Sequence, residues 1–161
     1  MNPTPEQQRL QQVLHLCQRH RAALSDALGI IQGEFTVNRV TLTQPSRYQR
    51  QVLDQFAYRY TRLQDDMGAR LLPALLLALG ENIAPMAVLD RLNRLEQLGW
   101  LPSADEWVAL RKIRKEFEHD YPERPDEHVQ KFNAAIDAAQ RLIVLLNTIE
   151  AGIQQRFLLP D

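Results

Sequence analysis

The sequence predicts an all-α fold, a five-helix antiparallel bundle forming a single domain over residues 1–161. Three features carry that reading. Apolar residues recur at three- and four-residue steps through most of the chain, the period of a helix with one buried face. Helix-start signals precede these segments, and Gly or Pro closes them. No segment shows the sustained two-residue alternation, bounded by turn residues, that marks a strand.

The first helix opens at Thr4-Pro5-Glu6-Gln7, where Thr4 caps, Pro5 suits the first turn and Gln7 completes a capping box. Leu10, Val13, Leu14, Cys17, Ala23 and Leu24 carry it to an expected stop at Gly29. Residues 30–44, with Gly33, Asn38 and alternating Val37, Val40 and Leu42, fit a short hairpin or an irregular loop; we take the loop. Ser46 and Gln49 form a second capping box. Leu53, Phe56, Tyr60, Leu63 and Met67 then share one stripe, opposite a polar face with Arg50, Arg59, Arg62 and Asp65. This second helix continues into the apolar run Leu71–Leu79, where Pro73 must kink or break it, and ends at Gly80. A third helix opens at Pro85 and carries Leu92, Leu95 and Leu98 to Gly99. The fourth starts at Ser103, with Glu106 as its box partner, and runs through Trp107, Leu110, Ile113 and Phe117 to Tyr121-Pro122. The fifth begins near Asp126 and repeats Val129, Phe132, Ile136, Ala139, Ile143 and Leu146 to about Ile153.

Composition narrows the function classes. Nineteen Lys and Arg against twenty Asp and Glu leave a net charge of −1, which excludes a globally basic nucleic-acid binder and leaves local patches. A single cysteine, Cys17, excludes a disulfide framework, and its helical apolar setting reads as a buried, inert thiol. The N-terminal residues lack a basic region followed by an apolar one, and the longest apolar run is about half a membrane span. A soluble, cytoplasmic protein with no membrane partner is expected.

Gly-rich phosphate loops, His-Glu-x-x-His and Gly-x-Ser-x-Gly are absent from the sequence. His15 and His20, five apart on the first helix, do not share a face, so a metal site is not expected there and both read as solvated. The informative stretch is Arg111-Lys112-Ile113-Arg114-Lys115-Glu116-Phe117-Glu118-His119-Asp120-Tyr121-Pro122. As a charged helix surface it offers Arg114–Glu118 and Lys112–Glu116 pairs. Yet Arg114 falls on the stripe of Trp107, Leu110, Phe117 and Tyr121, where a guanidinium needs an anion, a buried partner or a subunit interface. His119 stands between Glu118 and Asp120, two carboxylates that favour its protonated form. An Arg to clamp phosphate and a His to move a proton form a minimal set for phosphodiester cleavage. On a straight helix those two residues point about 140° apart, at roughly 100° per residue. Either two copies build one cleft, or the helix unwinds before Pro122.

Arg114-x4-His119-x-Tyr121, closing a helix in an all-α bundle, resembles the Arg-x4-His-x-Tyr signature of HEPN domains of the HepT-like toxin family. Leu53 to Phe56, Met67 to Ala69, Leu89 to Leu98 and Leu101 to Trp107 extend the likeness over roughly residues 45–150. The resemblance implies a toxin of a two-gene system, silenced by a small nucleotidyltransferase-fold antitoxin. It implies a homodimer whose facing motif helices cut RNA without metal or other cofactor. Arg114 and His119 would be the catalytic pair, and Tyr121 the hydroxyl that the antitoxin modifies with AMP. Where the family usually carries Asn after the arginine, this chain has Lys115, which with Arg111 and Lys112 would contact RNA phosphates. The other readings open at this point are a non-catalytic helical partner of a nucleotidyltransferase or its nucleotide, and a dimeric adaptor in which Arg114 is an interface ion-pair residue.

Overall fold

The computed structural model describes residues 2–118 and 124–157. Within them all regular structure is helical: α1 (Pro5–Glu34), α2 (Arg39–Thr43), α3 (Arg47–Asp66), a π-helical turn (Met67–Leu71), α4 (Leu72–Ala78), α5 (Val88–Gln97), α6 (Ala104–Phe117) and α7 (Pro125–Phe157). The all-α reading holds. The expected count of five helices does not, for reasons local to each segment.

The Thr4–Gln7 and Ser46–Gln49 capping boxes both form, each satisfying two helix-end donors. Helix α1, however, passes Gly29 and runs to Glu34. Gly29 is exposed and costs a helix only about 1 kcal/mol relative to alanine. Burial of Ala27, Leu28 and Ile31 offsets that. The expected loop at 30–44 thus holds the last turn of α1 and all of α2, whose capping box joins Asn38 and Thr41.

The second expected helix is interrupted one turn ahead of Pro73. Pro73 has no N–H to donate to the carbonyl four residues back, and the chain widens there into a π turn in which Leu72 N–H reaches Met67 O. Gly80 (φ 86°) and Gly99 (φ 82°) close the following helices in the left-handed region. In each case the next residue's N–H returns five residues: Glu81 to Leu76 O at 3.0 Å and Trp100 to Leu95 O at 2.9 Å. The third expected helix begins at Val88, three residues after Pro85.

Contacts between helices fix their directions. Tyr48 donates to Glu34, Gln55 to the Ala23 carbonyl, and Asp66 meets His20, so α3 runs antiparallel to α1. Gln18 and Arg21 meet Glu150 and Asn147, which sets α7 antiparallel to α1. Arg141 binds Glu106 and Lys131 binds Glu116, which sets α7 antiparallel to α6. The core lies between these helices, with Leu10, Leu24, Phe56, Tyr60, Leu63, Met67, Leu71, Leu142 and Leu146 fully enclosed. At the end where α6 meets α7, the rings of Phe56, Tyr60, Phe117 and Phe132 pack into one cluster, with centroids 5.2–6.0 Å apart. No helix among the described residues is long and apolar enough to cross a membrane.

Candidate functional site at the end of α6

Ser103 caps α6 by accepting from Glu106 N–H at 3.0 Å. The expected reciprocal half of the box is absent, because the Glu106 carboxylate is taken by Arg141 in a two-pronged pair at 3.0 Å. Trp107 is buried against Gly68 of the π turn, where an added Cβ would lie 3.3 Å from the ring. Leu110 is buried one turn on, and Phe117 packs edge-on to Tyr60 at 5.4 Å. The described part of the stripe that includes Arg114 therefore faces the bundle, with Trp107 packed on the π turn and Phe117 on α3 and α7.

Arg114 sits in that stripe with its side chain only 12% exposed. Its guanidinium binds Asp65, at the end of α3, at 2.6 Å and also pairs with Glu118 one turn along α6. Burial opposes its charge, but the two carboxylates more than compensate and hold it protonated. Its Nε–H is buried with no partner. The Tyr60 hydroxyl and Gln64 Oε1, one turn apart on the α3 side of this seam, are likewise buried and unpartnered. Burial also raises the Tyr60 pKa, which Arg114 partly lowers through space. Each unsatisfied buried group costs about 1–3 kcal/mol, and proteins retain such groups chiefly where they serve a function or hold water.

The other predicted side chains separate by exposure. Arg111, Lys112 and Lys115 are exposed on the outer face of α6. Arg111 borders a hollow of ≈ 300 Å³ that Gln64, Asp65 and Trp107 also line. His119 and Tyr121 lie outside the described residues.

A second polar centre backs the first. Asp66, beside Asp65 in sequence, turns inward and meets His20 Nε2 at 2.9 Å, with both side chains buried. Arg59 lies 3.1 Å from His20 Nδ1. A guanidinium only donates, so Nδ1 accepts, and Nε2 carries the proton given to Asp66. Burial lowers the His20 pKa despite Asp66, and Arg59 and Arg62 lower it further. The reading of His20 as solvated is therefore wrong, whereas His15 is exposed as expected. Cys17 is fully buried, and burial pushes its thiol up to about 12, with Asp66 adding to the shift. Sequence reasoning missed Asp65 and Asp66 as partners because they lie 49 and 46 residues from Arg114 and His20. The one sequence signal was an acidic pair placed where the helix was expected to continue.

No protein-family model, no curated protein and no solved structure matches the chain.

Proposed function

We propose that this chain is a HEPN-type endoribonuclease of the HepT-like toxin kind, cytoplasmic, acting as a homodimer and held in check by a small nucleotidyltransferase-fold antitoxin. The observation that carries the proposal is Arg114: a charged guanidinium, 12% exposed, with its buried Nε–H unpartnered, five residues before His119 in Arg-x4-His-x-Tyr. In the proposed reaction the ribose 2′-oxygen attacks phosphorus and the bond to the 5′-oxygen breaks. A proton leaves the 2′-hydroxyl and one reaches the departing 5′-oxygen, the transfers assigned to His119. Arg114 stabilises the pentacoordinate phosphorane, and the products carry 2′,3′-cyclic phosphate and 5′-hydroxyl ends. For that, phosphate must replace Asp65 or Glu118 on the guanidinium. Arg111, Lys112 and Lys115 supply the exposed charge that draws the strand in.

With total cellular RNA as substrate, Arg114→Ala should lower cleavage by about 10²–10³-fold, and His119→Ala should abolish it, with helicity unchanged. Neither step asks for a metal, so cleavage should persist in EDTA. Full activity in the double variant would sink the nuclease. Co-expression with the partner nucleotidyltransferase should add AMP to the intact mass, and Tyr121→Phe should remove that increment. A second reading rests on the pairing of each Arg114 terminal nitrogen with a carboxylate: a non-catalytic helical adaptor in which Arg114 is an internal ion-pair node. A wild-type chain that binds the nucleotidyltransferase and leaves RNA intact would favour it.

A further inference from the structure

Next to the Arg114 end of α6 lies a groove of ≈ 610 Å³, walled by α3, by the α2–α3 link and by the first turns of α7. Its size is that of a small-ligand cleft. The α3 wall is a stripe in which Arg50, Asp54 and Tyr58 follow at four-residue intervals. Across from it stand Phe117 and Phe132, with ring centroids 5.3 Å apart. Glu118, which pairs with Arg114, closes one end.

The chemistry of these walls selects an occupant. The Arg50 and Asp54 side chains form no ion pair or hydrogen bond with each other or with any other described residue. An apolar ligand would desolvate both without compensation. A bare phosphate would suit Arg50 and be repelled by Asp54. Tyr58 is 55% exposed, and the Arg59 guanidinium lies 5.3 Å from its ring centroid. Its ring is thus a platform at the groove rim for a flat partner. A planar base with two adjacent N–H donors, attached to a phosphate, meets all three groups at once. Guanine alone among the RNA bases presents two neighbouring donors on its pairing edge, which match the two oxygens of one carboxylate. Adenine, cytosine and uracil each place an acceptor in that pair of positions.

We propose that this groove is a guanine-nucleotide subsite, in which Tyr58 stacks on the base, Asp54 reads its N1–H and 2-amino edge, and Arg50 holds a phosphate. Its assignment to an RNA strand rests on the nuclease reading: the groove begins at Glu118, so the guanosine it takes neighbours the phosphate at Arg114. A free nucleotide carries the same chemistry, and the test separates the two sources. The full chain is titrated calorimetrically with 5′-GMP, 5′-AMP, 5′-CMP, 5′-UMP and a trinucleotide with guanosine at its centre.

GMP should bind at least tenfold more tightly than the other three. Asp54→Asn should erase that preference, and Tyr58→Ala should weaken GMP tenfold or more. Both positions are exposed, so circular dichroism should show the bundle intact. Equal affinity for all four nucleotides, or GMP binding unchanged in Asp54→Asn, overturns the subsite. GMP binding without trinucleotide binding overturns its place on a strand. GMP binding by a chain that cuts no RNA overturns the nuclease and leaves the subsite standing. Guanine-indifferent cleavage by a chain that binds no GMP overturns the subsite alone.

Discussion

His20 holds two opposed demands in one buried side chain: Asp66 favours its charged form, while burial and the Arg59 guanidinium favour the neutral one. Burial prevails, and the pKa lies below its ordinary 6.5. The unfolded chain therefore takes up a proton near pH 6.5 that the folded chain refuses until lower pH. With more protons bound in the unfolded state, stability falls as pH drops below 6.5, and the loss ends once pH passes the folded value. One group sets a ceiling of about 1.4 kcal/mol per pH unit on the slope. Urea midpoints should fall between pH 7.5 and 5.5, and His20→Gln, which keeps an N–H for Asp66, should flatten that dependence. Glu150 stays outside the window. Burial raises its pKa, but hydrogen bonds from Arg21 and Gln18 hold it below its ordinary 4.5, so its contribution is lost only at lower pH. An unchanged slope in His20→Gln would refute the assignment. Little of this was legible in the sequence. A histidine between Arg19 and Arg21 reads as wet, and only the α1–α3 pairing reveals that position 20 turns inward.

Two helix starts were legible because a side chain bonds its own helix end across three residues, Thr4 with Gln7 and Ser46 with Gln49, whereas the same box at Asn38 and Thr41 opens a helix too short to show a periodicity of its own. Stops were less so. Gly80 and Gly99 end their helices in left-handed conformations, while Gly29 continues one, and nothing local separates the two cases. The π turn was half legible: Pro73 announced a break, but not that it would fall one turn earlier, in a π turn whose Gly68 seats Trp107. Glycines inside α1 and α7 now make opposite predictions. A Cβ on Gly29 meets nothing within 4 Å, so Gly29→Ala should stabilise by about 0.5–1 kcal/mol. A Cβ on Gly152 would lie 2.6 Å from Trp100 Cζ3, and overpacking of that kind costs about 1–3 kcal/mol. That exceeds the same propensity gain. Gly152→Ala should lower the melting temperature and alter Trp100 fluorescence, while Gly29→Ala raises the first and leaves the second alone. Stabilisation by Gly152→Ala would mean that Trp100 yields without penalty.

At the scale of the molecule, the topology followed from amphipathic periods and short links, whereas the faces it leaves open did not. Trp107 is buried and Phe117 half-buried against Phe56 and Tyr60 of the same chain, so their stripe offers no motive for a dimer through α6. Another surface does. Val88 and Leu89 on α5 and Val108 on α6 are 58%, 53% and 45% exposed. Val88 shares the hollow beside Arg111 with Trp107, so this exposed residue of α5 adjoins the basic edge of α6. That helix is also charged in opposite senses along its length, with Asp105 near its start and Arg111, Lys112 and Lys115 exposed toward its end. Two copies laid antiparallel about a two-fold axis near Val108 would bury the valines and set each acidic end against the partner's basic end, a self-complementary arrangement. At roughly 1.5 Å per residue, the six residues on either side of Val108 leave the two Arg114 positions about 18 Å apart along the axis, so this pairing does not by itself build one composite cleft. Sedimentation at micromolar concentration should give twice the 18.6 kDa chain mass. Val108→Asp should give the monomer with unchanged helicity. A wild-type chain that sediments as a monomer, or a Val108→Asp chain that stays dimeric, would overturn this interface.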